Sequence, residues 1–416
     1  MSEVVTSRRR FLQSALAGGA AAVLPAWAHD VRHQPKLPVA GVVTVYKRGS
    51  HADVILGKIL EGYDQQGGIG PGLELAALYI DQPASSAMGI ELAKRFKVPV
   101  FDSIEGAVTV GQSSIPVRGV ISIGEHGDYP KHPKTGQIQY PRRRFFDEIV
   151  AAFRKHGSSV PVFNDKHLGY AWADAKHMVD TARTVKFPLM AGSSIPVAWR
   201  RPEFILDRGA RIRDAVGIGY GGPEAYGFHA LEGLQCMVER RFGGESGVKS
   251  VRAITGEAIW NAERAGEWNR ELLEAAMAAQ PAVRKGRIED NLKPDSPFYL
   301  IEYRDGLRAT LAMMNGVCHQ FGFAARLEDK SKAATWIELD ERAPYGHFAW
   351  LLKGIEHMIH HGRAPYPVER TLLTTGILDR AMHSLAEGGR RLDTPELDLR
   401  YQPADWGHAK GKFPGN

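Results

Sequence analysis

Cysteine is almost absent from this sequence, and so are the patterns that indicate a membrane protein or a nucleic-acid binder. Only Cys236 and Cys318 occur among 416 residues, which excludes a disulfide framework but leaves a single bridge open. Cys236 lies in an apolar pattern of helical spacing, which favours a buried thiol. Beyond the N-terminal region no segment approaches the roughly 18 uninterrupted apolar residues of a membrane helix. The net charge of +6 is mild, and no Lys/Arg run with interleaved aromatic residues supports a nucleic-acid role.

The overall composition is that of a soluble globular protein. Apolar residues make up 44% of the chain and charged residues 24%, close to the average for such proteins. A chain of 416 residues is too long for one ordinary hydrophobic core, so the length suggests two domains.

The N-terminal region has the pattern of an export signal. The segment SRRRFL (7–12) looks like a twin-arginine motif, and a short Ala/Gly-rich apolar run follows at 15–24. Small residues at 26–28 fit a cleavage site, which predicts a signal peptide at 1–28 and a mature chain that begins at His29. The alternative is a retained N-terminal anchor. A cleaved signal predicts a periplasmic or otherwise exported protein that uses the twin-arginine route.

Residues 37–200 alternate between strand-like and helix-like segments. The strand-like segments are 39–46, 73–81, 98–103, 117–124, 160–165 and 187–194, and the helix-like segments are 50–63, 86–96, 143–157 and 172–186. This repeated β-α-β order predicts a doubly wound parallel sheet of the α/β class. Ligands of such sheets bind outside the carboxyl ends of the strands, which here are 46–50, Asp81, 125–128 and 164–167.

Residues 201–400 follow a different pattern, which predicts an α+β domain with a mostly antiparallel open sheet. A Gly-rich segment at 217–227 looks like a turn, and a helical segment follows it. Antiparallel strands are predicted at 248–260, 296–316 and 335–340, with a hairpin turn at Arg304-Asp305-Gly306. Helices at 346–362 and 367–388 close the chain and are expected to pack back on the first domain.

Four segments, taken in order, resemble one known family. They are ELAKRFKVPVFDSIEGAV (91–108), VPVFNDKHLGYAWADAKHMVDTARTVKFPLMAGSS (160–194), EAYGFHALEGLQ (224–235) and GIEHMIHHGRAPYPVERTLLTTGILDRA (354–381). The sequence resembles the Gfo/Idh/MocA family of NAD(P)-dependent sugar and cyclitol oxidoreductases over nearly all of the mature chain. The resemblance implies a Rossmann-like dinucleotide-binding domain at 37–200 and an α+β substrate and oligomerisation domain at 201–400. It also implies a polyhydroxy substrate, NAD or NADP as cofactor, and a homo-oligomer.

The resemblance implies two catalytic residues. Lys166 falls where the family has its catalytic lysine, and an ammonium there can hydrogen-bond a substrate hydroxyl and stabilise a developing alkoxide. His229 fits the family's helix histidine, whose pKa near neutrality suits it to accept the alcohol proton. Glu232, one turn further on, is a candidate to orient that ring. The alternatives are a solvated lysine at a strand end and a buried histidine bonded to a carbonyl.

The family's glycine-rich fingerprint is largely missing from this sequence. The aligned segment is 44–49, where only the third glycine, Gly49, is present, and Tyr46 stands where the pyrophosphate must approach the backbone. The Tyr46 side chain is expected to obstruct that approach unless it turns away. The candidate cofactor-binding residues are Thr44, Tyr46, Arg48, Gly49, Ser50, Asp81, Glu125 and His126.

A second polar set is predicted to contact the substrate. Its members are Asp128, Asn164, Asp165, His167, Arg200 and Tyr220. Residues Asp165 and His167 replace a glutamate and a proline of the family's motif, which leaves the backbone shape of this corner open. The histidines and acids of the strand ends could also bind a divalent ion, but no short spacing such as His-Glu-x-x-His supports a metal, and none is predicted.

The sequence therefore predicts an exported enzyme that oxidises a sugar, cyclitol or related polyhydroxy compound and passes hydride to a tightly bound nicotinamide. Two alternatives stay open. One is a carbohydrate-binding protein that has lost the dinucleotide, and the other is a non-redox lyase or hydrolase that uses Lys166 and the histidines as acid and base.

Overall fold

The first part of the described chain forms a six-stranded parallel sheet. The computed structural model describes residues 35–411, so the predicted signal peptide at 1–28 lies outside the described residues. The strands are β1 (Leu37–Val43), β2 (Leu73–Ile80), β3 (Val100–Phe101), β4 (Gly119–Ile123), β5 (Val162–Asp165) and β6 (Leu189–Gly192). Their spatial order is β3-β2-β1-β4-β5-β6, and every neighbouring pair is parallel. This confirms the predicted doubly wound sheet, with its topological switch point between β1 and β4.

Five helices accompany this sheet. They are α1 (His51–Glu61), α2 (Ala87–Arg95), α3 (Ile104–Thr109), α4 (Arg142–His156) and α5 (Trp172–Val185). Helix α1 begins where it does because Ser50 adopts an extended conformation and its hydroxyl accepts from the backbone N–H of Asp53. Helix α4 ends at Gly157, which adopts the left-handed conformation that favours glycine.

The second part of the chain forms an eight-stranded, mostly antiparallel sheet. Its strands are β7 (Trp199–Arg201), β8 (Ile212–Gly219), β9 (Val248–Ile254), β10 (Phe298–Tyr303), β11 (Arg308–Met313), β12 (Phe321–Leu327), β13 (Lys332–Glu338) and β14 (Leu392–Asp393). The spatial order is β14-β9-β10-β11-β8-β12-β13-β7, and only the β8–β11 pair is parallel. The predicted α+β arrangement is confirmed, and so is the β10–β11 hairpin around Arg304-Asp305-Gly306.

Helices cover both faces of the second sheet. The helices of this part are α6 (Ala225–Val238), α7 (Glu257–Arg264), α8 (Arg270–Ala278), α9 (Ile288–Asn291), α10 (Gly346–His361) and α11 (Glu369–Ala386). Helix α6 packs on β8, β11 and β12, while α8 packs on β8, β12 and β13 from the other side. Helix α11 contacts α5, α6 and β9, so it connects the two sheets next to α6. Residues 35–411 all belong to one compact unit, and the division into domains at 37–200 and 201–400 stays a prediction.

Some local predictions are wrong for identifiable reasons. The strand predicted at 248–260 ends at Ile254, because Gly256 has φ +58° and the residues after it form α7. The Gly-rich segment is not all turn, since Gly217 and Gly219 belong to β8. An added Cβ at Gly219 would lie 2.6 Å from the Ala230 Cβ, so this glycine lets α6 approach the strand closely. The short helix α3 was not anticipated.

Both cysteines are buried free thiols, as the apolar pattern around Cys236 favours. None of the helices within residues 35–411 is both long enough and apolar enough to cross a membrane.

Candidate active site

Lys166 lies at the carboxyl end of β5, at the base of a polar cluster. The residue adopts the left-handed conformation with φ +59°, and its backbone N–H donates to the Gly192 carbonyl oxygen at 3.1 Å. The Asn164 side-chain amide donates to the carbonyl oxygens of Asp165 and His167 at 3.1 and 3.2 Å, which fixes the chain on both sides of Lys166. Asn164 therefore shapes this corner, whose backbone the sequence left open.

Glu125 lies between two cations. One carboxylate oxygen is 3.0 Å from Lys166 Nζ, and the other accepts from Arg142 Nη2 at 2.5 Å. All three side chains are buried, with about one-twentieth or less of each exposed. Burial alone would raise the pKa of Glu125, but the charges of Lys166 and Arg142 outweigh it and hold that pKa well below its usual range. The Glu125 carboxylate is therefore ionised and fixes the Lys166 ammonium in place.

Arg142 continues the network to His167. Arg142 Nη1 lies 3.0 Å from His167 Nε2, so it donates to the unprotonated nitrogen of a neutral imidazole. Burial, followed by the charge of Arg142, lowers the pKa of His167 to about 4. His167 Nδ1 is buried without a hydrogen-bond partner among residues 35–411. The sequence analysis placed His167 in the site but did not find Arg142, which lies at the start of α4 and comes close only through the strand order.

His229 reaches the same cluster from α6. Its Nδ1 lies 2.5 Å from the Ser193 hydroxyl oxygen, and its ring centre is 6.0 Å from that of His51. Burial first, and then the charges of Lys166 and His51, hold the pKa of His229 well below its ordinary value. The imidazole is therefore neutral at pH 7 and is the type of group that can accept a proton.

Glu232 supports this histidine indirectly. Its carboxylate accepts from the backbone N–H of Ser193 at 3.3 Å and from the hydroxyls of Thr374 and Thr371 at 2.7 and 3.2 Å. The sequence suggested that Glu232 orients the His229 ring directly; instead it fixes the segment that carries Ser193, the partner of that ring. Burial raises the pKa of Glu232, while the charge of Arg370 and the three hydrogen-bond donors oppose this rise only in part.

His51, the first residue of α1, closes one side of the cluster. Its Nδ1 lies 2.7 Å from Asp165 Oδ2, and its ring packs against Phe348 at 4.9 Å and against His126 at 5.7 Å between ring centres. Burial lowers the pKa of His126 to about 4. Two atoms, Asp165 Oδ1 and His126 Nε2, are buried without a hydrogen-bond partner in the described chain. Unpaired buried polar atoms beside Lys166 indicate a place where a polar ligand binds.

Three predicted substrate residues lie apart from this cluster. Asp128 is exposed and is bound through its backbone to Gln82. Arg200 is buried, and its guanidinium bonds the carbonyl oxygens of Pro196 and Phe204 and the Cys236 sulfur. Tyr220 donates to Glu341 and packs on Tyr226, whose ring in turn lies 6.2 Å from that of His229. Tyr220 is therefore separated from His229 by the Tyr226 ring, while the hydrogen bonds of Arg200 are those of a structural residue.

Five of the eight predicted cofactor residues lie in the loop after β1, while Asp81 follows β2 and Glu125 and His126 follow β4. Thr44 joins the ends of β1 and β4, since its hydroxyl donates to the Glu125 carbonyl oxygen at 2.5 Å. The Tyr46 side chain turns away from the loop surface and is completely buried. Gly49 has φ +72°, and Ser50 caps α1.

Within residues 35–411, no group of three histidine, cysteine or acidic side chains is arranged to hold a metal ion.

The architecture is shared with solved dehydrogenases. No protein-family model matches the chain, and no curated protein matches it by sequence. GenD2 from gentamicin A biosynthesis, solved in complex with NAD, aligns over 89% of this chain and 99% of its own, with a TM-score of 0.57 and 14% identity. Myo-inositol 2-dehydrogenase from Lactobacillus plantarum aligns over 86% and 99%, with a TM-score of 0.53 and 11% identity. A probable dehydrogenase from Thermotoga maritima aligns over 87% and 100%, with a TM-score of 0.52 and 11% identity.

The fold is that of these dehydrogenases. These neighbours include an inositol dehydrogenase, so the dehydrogenase fold that the sequence resemblance implies is confirmed. At 11–14% identity the alignments show the architecture alone, and the roles of individual residues rest on the geometry described above.

Proposed function

We propose that this protein is an enzyme of the oxidoreductase type that acts on a hydroxyl-bearing carbon of a sugar, cyclitol or related polyhydroxy compound. Its structural neighbours include GenD2, solved in complex with NAD, and myo-inositol 2-dehydrogenase from Lactobacillus plantarum, which supports this class. We also propose that the protein is exported by the twin-arginine route, on the strength of the SRRRFL segment at 7–12. A homo-oligomer stays a prediction.

One observation carries the proposal: a fixed ammonium and a neutral imidazole belong to the same buried cluster. Glu125 fixes Lys166 Nζ at 3.0 Å. The Lys166 N–H bonds the carbonyl oxygen of Gly192, and the next residue, Ser193, contacts His229 Nδ1 at 2.5 Å. When its proton is on Nδ1, His229 donates to Ser193 and leaves Nε2 as an acceptor. The two groups together suit a substrate hydroxyl, because one can stabilise the oxygen while the other takes its proton.

The proton steps then follow from the positions of these residues. A substrate hydroxyl donates its proton to His229 Nε2, and the Lys166 ammonium hydrogen-bonds the oxygen as its negative charge grows. Glu125 keeps the ammonium directed at that oxygen, and Arg142 balances the second carboxylate oxygen. In an oxidoreductase of the neighbours' type, a nicotinamide supplies the hydride acceptor. The backbone N–H groups of Tyr46, Lys47 and Gly49, in the loop after β1, already donate to side chains of this chain, so the loop does not fit that cofactor and no step is assigned to it.

That misfit favours a second candidate function, a non-redox lyase. With a β-hydroxy carbonyl compound, His229 takes the proton from the carbon next to the carbonyl, and Lys166 hydrogen-bonds the enolate oxygen. The β-hydroxyl then leaves as water with the proton that His229 carries. This elimination is balanced without any oxidant, so the same two residues suffice.

Substitution of Lys166 tests the proposal in either form. We expect Lys166→Met to abolish turnover of a polyhydroxy ligand found by thermal-shift screening of sugars, cyclitols and their keto derivatives. Lys155→Met, which removes an exposed lysine from α4, is the matched control and is expected to retain full turnover. Unchanged turnover in Lys166→Met would remove this residue from the mechanism.

A further inference from the structure

We infer that the groove in which this fold binds a dinucleotide is occupied by the protein's own side chains, so that the enzyme does not use NAD or NADP there. The inference bears on the proposed function: it removes the hydride acceptor of the oxidoreductase form and leaves the non-redox lyase form, in which the acid–base pair of Lys166 and His229 needs no oxidant. It rests on contacts at three parts of the groove: the pyrophosphate position in the middle, the adenosine end and the nicotinamide end.

The backbone donors that would bind a pyrophosphate already have internal partners. In this fold, N–H groups of the loop after β1 and of the following helix N-terminus hydrogen-bond the phosphates. Here three of these N–H groups donate to side chains of the same region. The pairs are Tyr46 with Ser86 Oγ at 3.0 Å, Lys47 with Ser50 Oγ at 3.2 Å, and Gly49 with Asp53 Oδ2 at 2.8 Å.

Asp53 acts as an internal anion at the N-terminus of α1. It lies in the first turn of the helix, and its side chain is 1% exposed. Arg48 Nη1 lies 3.3 Å from its carboxylate, so the nearest cation of the loop is also engaged. The positive end of the helix dipole is therefore compensated by a carboxylate of this chain, and a diphosphate there would meet a buried like charge.

Tyr46 fixes the loop in this form. Its side chain is 0% exposed and packs against α2, where a Cβ on Gly89 would lie only 2.4 Å from the Tyr46 Cβ. It also packs near α1, where a Cβ on Gly57 would lie 3.5 Å from the Tyr46 hydroxyl. The tyrosine does not obstruct the groove with its ring, since the ring turns away. It anchors the backbone whose N–H groups are occupied.

The adenosine end of the groove is closed by contacts between the loops after β2 and β4. Asp81 is the acid expected to bind the ribose, and both of its carboxylate oxygens already accept hydrogen bonds. Tyr79 and Arg144 donate to Oδ1 at 2.6 and 2.5 Å, and Tyr129 donates to Oδ2 at 2.7 Å. Two hydrogen bonds also join these loops. The Gln82 side-chain amide donates to the Asp128 carbonyl oxygen at 2.8 Å and accepts from the Asp128 N–H at 3.1 Å. Strand β1 lies between β2 and β4, so these contacts cross above its carboxyl end.

The nicotinamide end is crossed by His51. Its 2.7 Å contact with Asp165 runs from α1, which follows β1, to the end of β5. Strand β4 lies between β1 and β5, so this contact passes over the switch point at which the fold binds its ligand. A dinucleotide would have to break contacts at all three parts of the groove.

Direct binding measurements on the full-length protein test the inference. We expect mass spectrometry of the denatured protein to find no NAD or NADP, and calorimetric titration with NAD+, NADP+ and NADH to show no binding up to about 1 mM, the scale of weak affinity. Retention of a cooperative thermal transition shows that the sample is folded. A co-purified dinucleotide in stoichiometric amount, or saturable binding below that concentration, would overturn the inference.

A pair of variants separates a closed groove from other causes of non-binding. Asp53→Asn removes the internal anion at the pyrophosphate position. Asp64→Asn removes an acid that follows the opposite end of α1 and accepts from the N–H groups of its own loop. We expect Asp53→Asn, but not Asp64→Asn, to increase the affinity for inorganic pyrophosphate at least tenfold. Equal affinities in both variants and the wild type would contradict the role given to Asp53. Turnover that depends on Lys166 is measured separately, so failure here leaves the proposed function intact.

Discussion

Replacement of Glu125 by glutamine probes the electrostatic centre of the site. The change keeps the shape of the side chain but removes one charge between two buried cations, Lys166 Nζ at 3.0 Å and Arg142 Nη2 at 2.5 Å. At 3.0 Å and an effective dielectric constant of about 20, one such pair is worth about 5 kcal/mol before desolvation is subtracted. Loss of one partner from a buried ion pair costs about 3–5 kcal/mol, because the remaining charge stays buried and unpaired. We therefore expect the free energy of unfolding to fall by about 3–5 kcal/mol at pH 7.

Chemical denaturation as a function of pH measures this effect. The folded pKa of Glu125 is depressed below its unfolded value of about 4.3, so its contribution is present above that pH and is lost as the pH falls further. The difference between the wild type and Glu125→Gln should therefore shrink below about pH 4. Glu148→Gln, which removes an exposed partner of Arg144, is the control and should cost less than about 1 kcal/mol. A Glu125→Gln protein within about 1 kcal/mol of the wild type at pH 7 would refute the reasoning.

Two further predictions concern the supports of the site. Gly192→Ala should lower the free energy of unfolding by about 3 kcal/mol or more, because φ is +125° and the added Cβ would lie 2.5 Å from Glu232 Oε2. The control is Gly157→Ala, which has φ +65° and open space around the added Cβ and should cost only about 1 kcal/mol. Equal losses in urea denaturation would show that the clash with Glu232 is unimportant. Burial lowers the pKa values of His167 and His347 to about 4 and about 3, against about 6.5 in the unfolded chain. The unfolded state therefore binds more protons below pH 6.5, and the free energy of unfolding should fall by up to about 3 kcal/mol per pH unit between about pH 6 and 4; a flat profile would contradict the assigned burial.

The strand ends were the most informative part of the sequence. Repeated β-α-β order predicts the parallel sheet, and because the carboxyl ends of its strands share one edge, it also brings Glu125, Asp165 and Lys166 together. His229 could be placed through the resemblance of the segment EAYGFHALEGLQ (224–235), since α6 packs next to that edge.

The partners of these residues could not be predicted in the same way. His51 meets Asp165 at 114 positions' separation, so this contact depends on the order of strands in space. Arg142 meets Glu125 across the connection from β4 to α4, in which no sequence motif marks the pair. Ser193 follows β6 without any motif to mark it. Arginine is a residue type that often binds polar ligands, but the Arg200 guanidinium donates hydrogen bonds to backbone carbonyl oxygens of its own segment.

The loop after β1 shows why a missing motif is hard to interpret from sequence. The loss of two glycines at Thr44 and Tyr46 left open whether the groove is altered or only divergent. The structure adds that Asp53, a residue outside the fingerprint, occupies the phosphate-binding N–H of Gly49. An acid at the third position of a helix is also a common capping feature, so the sequence alone does not distinguish the two roles.

Exchange of solvent deuterium into a ligand carbon tests the central claim most directly. The claim is that Lys166 and His229 move protons at a polyhydroxy compound in a site whose dinucleotide groove is filled. Nucleotide-free protein, incubated in D2O with a keto sugar or keto cyclitol that it binds, should introduce deuterium at the carbon next to the carbonyl, and Lys166→Met should not. Absence of exchange in the wild type, together with hydride transfer from the ligand to added NAD+ or NADP+, would contradict the account.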